Sequence, residues 1–486
     1  MRACCLTLLL TIAPALAVAQ DKPAAHYKSD APEKTGTPVT AQQLWAVTEV
    51  ILDNHVDPPT RQQMLLSALK KLFEQADATP PQELSRRVSE ITRPEQFAAL
   101  LGEVTTDVHV KPSHKDPESP DALLKGLLDS VPGKPYFMSA AEAKVSKQVS
   151  ANQYVGTGIQ IAMNNREKLT QILNPFRRGP ARRAGGRPND LIVRVDGRST
   201  EKIPLRTVVQ WLRGPKGSAV TVDVRQPGSK EVRTLHIVRD TVPIDTVLGY
   251  RRASEDTWKY ALDSDRAIAY LRINSINSST LQELRQAERK LQADGARALV
   301  LDFRAGSSEG NLHDGELVAD GFLDGGVMWR IRDAHGHVKE IQADRDCLFR
   351  DWPIAVLIDD TIVDNLTPVV AAALQDNHRA ILIGQPTHND GMVKRLVELP
   401  DNLGVITLLT GTLERSAAGR SWPVRPDHTV AVTSSQQKEI QRWLEEKQLT
   451  ELPAGRTDAP PVDPQLAKAI DIVRAALKDV KSTARP

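Results

Sequence analysis

The sequence contains few cysteines, shows no excess of charge of one sign and has no long apolar run after its first residues. Of its three cysteines, Cys4 and Cys5 lie at the start of the chain and Cys347 stands alone. If the first residues are removed from the mature chain, Cys347 is the one cysteine that remains. An intrachain disulfide is then excluded. The formal net charge is +2. Nucleic-acid-binding proteins usually carry an excess of basic residues, so this charge does not favour a nucleic-acid partner. No later run is long enough for a membrane-spanning helix, so we expect no transmembrane segment and a soluble mature chain.

The first residues have the features of an export signal. Arg2 supplies a positive charge, 6–16 is apolar, and Ala17-Val18-Ala19 offers small residues to a signal peptidase. We therefore expect a signal peptide over 1–19, cleavage before Gln20, and a mature protein that is exported, either periplasmic or secreted. Residues 20–39 are polar and aperiodic, which predicts a flexible leader.

The pattern changes along the 486 residues predict a multidomain α+β protein. A helical period begins near Leu44, which indicates a helical cap over 40–150. Alternating strands and the turn at Asp196-Gly197 indicate a small β domain over 151–240. The apolar strand at 298–303, followed by alternating helices and strands, predicts an α/β domain over 241–432. Asp463-Pro464 is a favourable helix start within a C-terminal helical segment over 433–486.

Several short motifs occur in and after the β segment. They are Gly158-Ile159-Gln160-Ile161, Gly179-Pro180-Ala181, Asp190-Leu191-Ile192, Val195-Asp196-Gly197, Leu212-Arg213-Gly214-Pro215-Lys216-Gly217, Leu301-Asp302-Phe303-Arg304 and Ala373-Leu374-Gln375-Asp376. Together they resemble the bacterial carboxyl-terminal processing proteases, also called tail-specific proteases. The resemblance covers about 40–480 and implies a helical cap, a PDZ-like domain and a crotonase-like α/β core.

The resemblance also implies a catalytic site in which a lysine activates a serine. A serine hydroxyl needs a neighbouring base, and lysine serves as one only when burial lowers its pKa. Aligning from 373–376, the serine position is Asn365, the lysine position is Asp390 and the position of a supporting glutamine is Lys394. None of the three retains the family's residue type. The loop that helps hold the oxyanion has also changed, to Ala305-Gly306-Ser307-Ser308-Glu309-Gly310.

These replacements predict a pseudoprotease that binds polypeptide carboxyl termini or scaffolds a partner. An asparagine amide is no useful nucleophile here, and an aspartate with an ordinary pKa near 4 is a poor base. Asn365 is instead interpreted as a helix cap. The alternative is an active serine-type endopeptidase with a non-standard nucleophile, such as Thr367 with Lys394. A third interpretation is a purely structural assembly subunit, because the family commonly oligomerises.

The predicted peptide-binding segment lies at the start of the PDZ-like domain. PDZ domains take an extended peptide as an added strand and hold its terminal carboxylate with backbone N–H groups. The residues that we expect to do so are Val155, Gly156, Thr157, Gly158 and Ile159. Arginines cluster over 177–187, either as a solvated loop or as a guide for acidic tails or an anionic surface.

No cofactor or metal is expected. His335 and His337 form one His-x-His pair, and His388 with Asp390 forms a second candidate ligand pair. A metal site needs three or four converging ligands, and no sequence feature unites the two pairs, so surface histidines are the favoured interpretation. The expected partners are polypeptide carboxyl termini or unfolded protein, an active protease relative, or further copies of the chain, but not nucleic acid.

Overall fold

The computed structural model describes residues 39–108, 122–140, 142–143, 155–176, 178–242, 245–254, 257–262, 265–306, 311–362, 366–446 and 460–483. They form three main sheets, and helices pack against each of them. This multidomain α+β architecture confirms the predicted fold class. Among the described helices, none combines the length and apolar character needed to cross a lipid bilayer.

The amino-terminal part is helical. Its elements are α1 Ala41–Asn54, α2 Arg61–Gln75, α3 Leu84–Ser89, α4 Pro94–Val108 and α5 Ala122–Asp129, followed by the short strand β1 Phe137–Met138. Thr40 and Thr60 begin α1 and α2 with capping boxes that use Gln43 and Gln63, so side chains satisfy the first free N–H groups. The apolar faces of these helices share a core with Leu408 and its neighbours, far along the chain.

A β domain follows. Its strands are β2 Val155–Gly156, β3 Ile159–Asn164, β4 Leu169–Pro175, β5 Leu191–Val195, β6 Arg198–Ser199, β7 Ala219–Arg225, β8 Arg233–Val238 and β9 Asp240–Thr241, with helices α6 Pro180–Arg183 and α7 Leu205–Leu212. The main sheet has the antiparallel order β3-β4-β5-β7-β8, and β6 pairs with β5. Asp196 and Gly197 have φ values of 47° and 78°, which confirms the predicted tight turn.

The remaining elements form the α/β part. They are β10 Val247–Gly249, β11 Arg251–Ser254, β12 Thr257–Lys259, β13 Ile268–Ile273, α8 Thr280–Ala293, β14 Ala298–Asp302, α9 Leu312–Asp320, β15 Gly326–Asp333, β16 Val338–Ala343, β17 Ile354–Ile358, α10 Leu366–Asp376, β18 Ile381–Gly384, β19 Met392–Glu398, β20 Val405–Arg415, β21 His428–Thr429, α11 Ser434–Glu446 and α12 Pro464–Thr483. A six-stranded sheet of order β10-β13-β14-β17-β18-β21 is parallel except at β10.

Helices cover both faces of this parallel sheet. Alternate residues of each strand point to opposite faces, so Leu271 packs with α8, α9 and α10 while Tyr270 packs with α11 and α12. A separate antiparallel sheet, β1-β20-β15-β16 with β19 beside β20, lies between the helical cap and the α/β core. Its strand β20 is therefore packed against both parts, which holds them together.

Candidate functional site

The parallel strands of the α/β sheet end close in sequence to the loops and the helix in which the resemblance predicts catalytic residues. Strands β14 and β17 are neighbours and end at Asp302 and Ile358, and ligands of α/β sheets commonly bind at such ends. Helix α10 follows, and Thr367 in its first turn is only 1% exposed. Asn365, the serine position, lies outside the described residues.

Asp390 and Lys394 are both exposed. The Asp390 carboxylate accepts the N–H of Met392 at 3.0 Å, a local turn contact. Lys394 lies on β19 opposite Leu409, and no ion pair joins it to Asp390 within the part of the chain that the structure describes. The side chain of Lys394 does not have the burial that a lysine base requires, so this arrangement gives no support to a dyad with the buried Thr367.

The first two residues of the loop after Arg304 donate their backbone N–H groups to acceptors within the protein. Ala305 donates its N–H to the hydroxyl of Thr361 at 2.9 Å, and Gly306 donates to the carbonyl oxygen of Phe303 at 3.3 Å. The Thr361 hydroxyl in turn donates to the Asp359 carboxylate at 2.5 Å. These two N–H groups cannot also hold an oxyanion. The rest of this loop, 307–310, lies outside the described residues.

A buried network of charged side chains supports the same end of the sheet. The Arg304 guanidinium donates to Asp302 at 2.7 Å, to Asp463 at 2.8 Å and to Gln465 at 2.9 Å, and the Tyr270 hydroxyl donates to Asp302 at 2.7 Å. Burial alone would raise the pKa of Asp302, but attraction to Arg304 outweighs it and holds that pKa below its usual range. The network therefore keeps fixed charges and is saturated with partners.

The pKa of the buried Asp359 carboxyl group is shifted in the opposite direction to that of Asp302. Asp359 is 5% exposed, and burial raises its pKa despite the hydrogen bond from Thr361. Sequence reasoning identified neither this Asp359–Thr361 contact nor the pairing of Arg304 with Asp463. The second pair is separated by 159 positions. The helix-start pattern at Asp463-Pro464 indicated a cap, but no local signal could have indicated its arginine partner.

The predicted peptide-binding segment forms the turn from β2 into β3. The carbonyl oxygens of Thr157 and Gly158 accept the N–H groups of Ala181 and Phe176, both at 2.8 Å. Within the described residues, the N–H groups of Thr157 and Gly158 donate to no acceptor. Thr157 is only 2% exposed, and buried backbone donors rarely remain unpaired. Two such donors in one turn suit an anion such as a carboxylate.

The strand that follows this turn has one open edge. Among the described strands β3 pairs with β4 alone, and its residue Gln160 is exposed. Ile159 packs in the same apolar core as Val208 and Leu212 of α7. An open strand edge beside a turn with available donors is the arrangement that takes an extended peptide as an added strand.

The other candidate residues do not come together as a site. His335 and His337 lie in the turn between β15 and β16, where Asp333 accepts both of their N–H groups at 2.9 Å. The part of the chain that the structure describes holds no group of three or more His, Cys, Asp or Glu side chains able to hold a metal ion. In the arginine cluster, Arg183 pairs with Asp240 at 3.3 Å and Arg178 is exposed, while Arg177 lies outside the described residues.

Two protein-family models match the chain. The PDZ domain model matches residues 175–226, and the model of Peptidase family S41 matches residues 267–430. These matches fall on the β domain and on the α/β part. The quoted sequence motifs fall within these two ranges, except Gly158-Ile159-Gln160-Ile161, which precedes the PDZ match.

Curated relatives are named as proteases that process carboxyl termini. A carboxyl-terminal-processing protease of Picosynechococcus sp. is 30% identical over 259 residues, which cover 53% of this chain and 60% of the relative. A carboxy-terminal-processing protease of Bartonella bacilliformis is 29% identical over 293 residues, which cover 59% of this chain and 63% of the relative. The chain thus spans about three fifths of the length of these relatives. The solved photosystem II D1 C-terminal processing protease is 24% identical, with a TM-score of 0.38 over 83% of this chain and 99% of that chain.

Proposed function

Because the chain belongs to the carboxyl-terminal processing protease family, we propose that it is a non-cleaving member that captures the carboxyl-terminal ends of other polypeptides. The observation that carries this proposal is the pair of available N–H groups at Thr157 and Gly158 beside the open edge of β3. A terminal carboxylate accepts charge-assisted hydrogen bonds from such donors. The strand edge then supplies main-chain hydrogen bonds to the residues that precede it.

The loss of cutting rests on the residues at the former catalytic positions. Asp390 is an exposed carboxylate where the family places its lysine base, and Lys394 is exposed on β19. The start of the former oxyanion loop uses its donors within the protein. A nucleophile, a base and an oxyanion site are all required for acyl transfer, and changes at each position favour a binding function.

The cellular setting and partners follow from the same proposal. The signal-like segment over 1–19 favours export, to the periplasm or out of the cell. The bound tails would belong to unfolded proteins or to clients of an active protease relative. Assembly of several copies would increase the apparent affinity for clustered tails through effective concentration.

The test combines cleavage and binding by the purified mature chain. We expect no cleavage of an unfolded protein substrate by the wild type or by Asn365→Ala. We also expect a labelled peptide with a free carboxyl terminus to bind at least about tenfold more tightly than its carboxamide in fluorescence anisotropy, because the amide loses charge-assisted bonds.

Three outcomes separate the interpretations. Cleavage by both proteins would contradict the proposal and direct the search to another nucleophile, with Thr367 tested first by Thr367→Val. Equal binding of the free acid and the carboxamide would exclude capture of the terminus. Absence of binding by either peptide would favour a structural assembly subunit.

A further inference from the structure

The basic residues of this chain are concentrated in the β domain. Residues 155–242 contain seventeen Lys and Arg but only seven Asp and Glu, a formal net charge of +10. The whole chain carries +2, so the residues outside this range sum to −8. Such a separation produces a positive field around one domain of a nearly neutral protein.

Most acidic side chains of this domain are already paired within it. Glu167 pairs with Arg225, Asp190 with Arg233, and Asp223 with Arg194. Three further pairs of the same kind join Asp240 to Arg183 and to Lys216, and Glu201 to Lys202. The net positive charge is therefore carried by basic residues beyond these pairs, and many of them face solvent.

Three of the cations lie next to the peptide-binding turn. In the β2–β9 pair, Gly156 lies opposite Asp240, whose carboxylate is 3.3 Å from Arg183 and 3.1 Å from Lys216. The side chains of Arg183 and Lys216 are 55% and 64% exposed. Arg178 is exposed and directly precedes Gly179, whose Cα would lie 2.8 Å from a Cβ placed on Gly158.

The other end of β3 is basic as well. Arg166 and Lys168 lie in the turn after Asn164 and both are exposed. A six-residue strand such as β3 spans about 20 Å. A peptide added to its open edge therefore has cations near its terminal carboxylate and again near its upstream residues.

We propose that this domain selects polypeptide tails that carry acidic residues shortly before their carboxyl terminus, an inference that rests on the proposed function. The backbone N–H groups hold the terminal carboxylate, and the exposed cations attract the acidic side chains that precede it. Arg178 and Lys216 act on the residues nearest the terminus, while Arg166 and Lys168 act further upstream. The cations also raise the rate of encounter with such tails.

The test uses the full mature chain and three labelled peptides with the same apolar terminal residue. One carries Asp and Glu before the terminus, the second carries Asn and Gln at the same positions, and the third is the carboxamide of the first. We expect the acidic free acid to bind about three- to tenfold more tightly than its uncharged counterpart. Raising the ionic strength from about 0.05 M to about 0.5 M shortens the screening length and should remove most of that difference.

Substitutions identify the residues responsible. Arg178→Gln/Lys216→Gln should lower the affinity for the acidic peptide by a larger factor than the affinity for the uncharged free acid, whose terminal carboxylate these cations also attract. Lys468→Gln, which alters an exposed lysine on α12 outside the domain, is the matched control and should change neither affinity.

The outcomes distinguish this inference from the proposed function. Equal binding of the acidic and uncharged free acids, each tighter than a carboxamide, would overturn the inference and leave tail capture intact. Equal binding of the acidic peptide and its carboxamide would identify a general polyanion surface and would also overturn the inference. Tighter binding of a DNA oligonucleotide or of anionic lipid vesicles would lead to the same conclusion. Absence of binding by all three peptides would contradict both the inference and the proposed function.

Discussion

At the scale of single residues, the proposed peptide-binding turn depends on a glycine whose conformation and surroundings both restrict substitution. Gly158 has a φ of +69°, a left-handed conformation that favours glycine. A Cβ at this position would lie 2.8 Å from the Cα of Gly179, 3.0 Å from Pro180 and 3.2 Å from Val242. The turn and helix α6 thus approach each other through two glycines, which fixes the orientation of the N–H groups of Thr157 and Gly158.

Gly158→Ala should therefore abolish most peptide binding. The added methyl group would push the turn away from α6 and strain a left-handed φ, at about 2–3 kcal/mol of domain stability. We expect the affinity for a free-acid peptide to fall by more than about tenfold, measured by anisotropy, together with a lower thermal midpoint for the domain.

Gly228→Ala provides the matched control for this prediction. Gly228 has a φ of +77°, but a methyl group added there would have no neighbouring atom within 4 Å. Gly228→Ala has the same backbone strain as Gly158→Ala but lacks the steric contact. It should therefore lower the stability of the domain by only about 1 kcal/mol and leave the peptide affinity unchanged. Equal loss of binding in both variants would show that close packing of the turn against α6 is not what orders it.

The residue types at positions 365, 390 and 394 can be read from the sequence, whereas the contacts at the end of the sheet could not be predicted from it. The resemblance alone predicts that Asp390 stands at the family's lysine position. The roles of Thr361 and Asp359 depend on two loops meeting at the end of the sheet. Such meetings are set by tertiary packing, for which a single sequence contains no periodic signal.

At the scale of elements, helix α12 is fastened to the sheet by its first residues. Asp463 accepts the N–H of Leu466 at 2.9 Å as a cap and also receives the Arg304 guanidinium at 2.8 Å. One carboxylate thus performs two tasks, capping the helix and balancing a buried charge. Losing a cap costs about 1 kcal/mol, whereas removing one partner of a buried ion pair costs about 3–5 kcal/mol.

Two substitutions at Asp463 separate these tasks. Asp463→Asn keeps a good cap but loses the charge, and should destabilise the α/β domain by about 3 kcal/mol. Asp463→Ala loses both and should cost about 1 kcal/mol more. Chemical denaturation followed by tryptophan fluorescence measures both values.

Thr40→Ala, which removes the cap of α1 without a buried ion pair, calibrates the capping contribution at about 1 kcal/mol. If Asp463→Asn proved as mild as Thr40→Ala, the buried ion pair with Arg304 would contribute little. The buried network would then act mainly through its geometry.

Elements with a strong periodic or apolar signal were predictable, and exposed edge strands were not. Helix α10 covers the apolar run at 366–376 and is buried throughout, which is why its sequence stands out. Strands β16 and β19 have mostly exposed side chains. They lie at the edges of their sheet, and their mixture of charged and apolar residues gives no clear alternation.

At the scale of the whole molecule, the described elements run from a helical part through a β part to an α/β part, and the PDZ match precedes the Peptidase family S41 match along the chain. The way in which β20 packs against both the helical cap and the α/β core was not predictable, because it pairs segments that are far apart in the chain. The whole-chain net charge also concealed the basic β domain. A charge count by domain is more informative than the total.

Catalysis is likewise a property of the whole site, so restoring two residue types should not restore activity. Asn365→Ser/Asp390→Lys supplies the nucleophile and the base, yet Ala305 and Gly306 still donate their N–H groups within the protein, and the lysine would stand at an exposed position. Loss of one oxyanion donor alone lowers kcat by about 10²- to 10³-fold, and an unburied lysine remains a poor base. We therefore expect no cleavage of an unfolded substrate above that of the Asn365→Ala/Asp390→Lys control, with circular dichroism to establish that both variants are folded. Turnover by the serine variant that the control lacks would contradict this prediction and show that the former site keeps a working geometry.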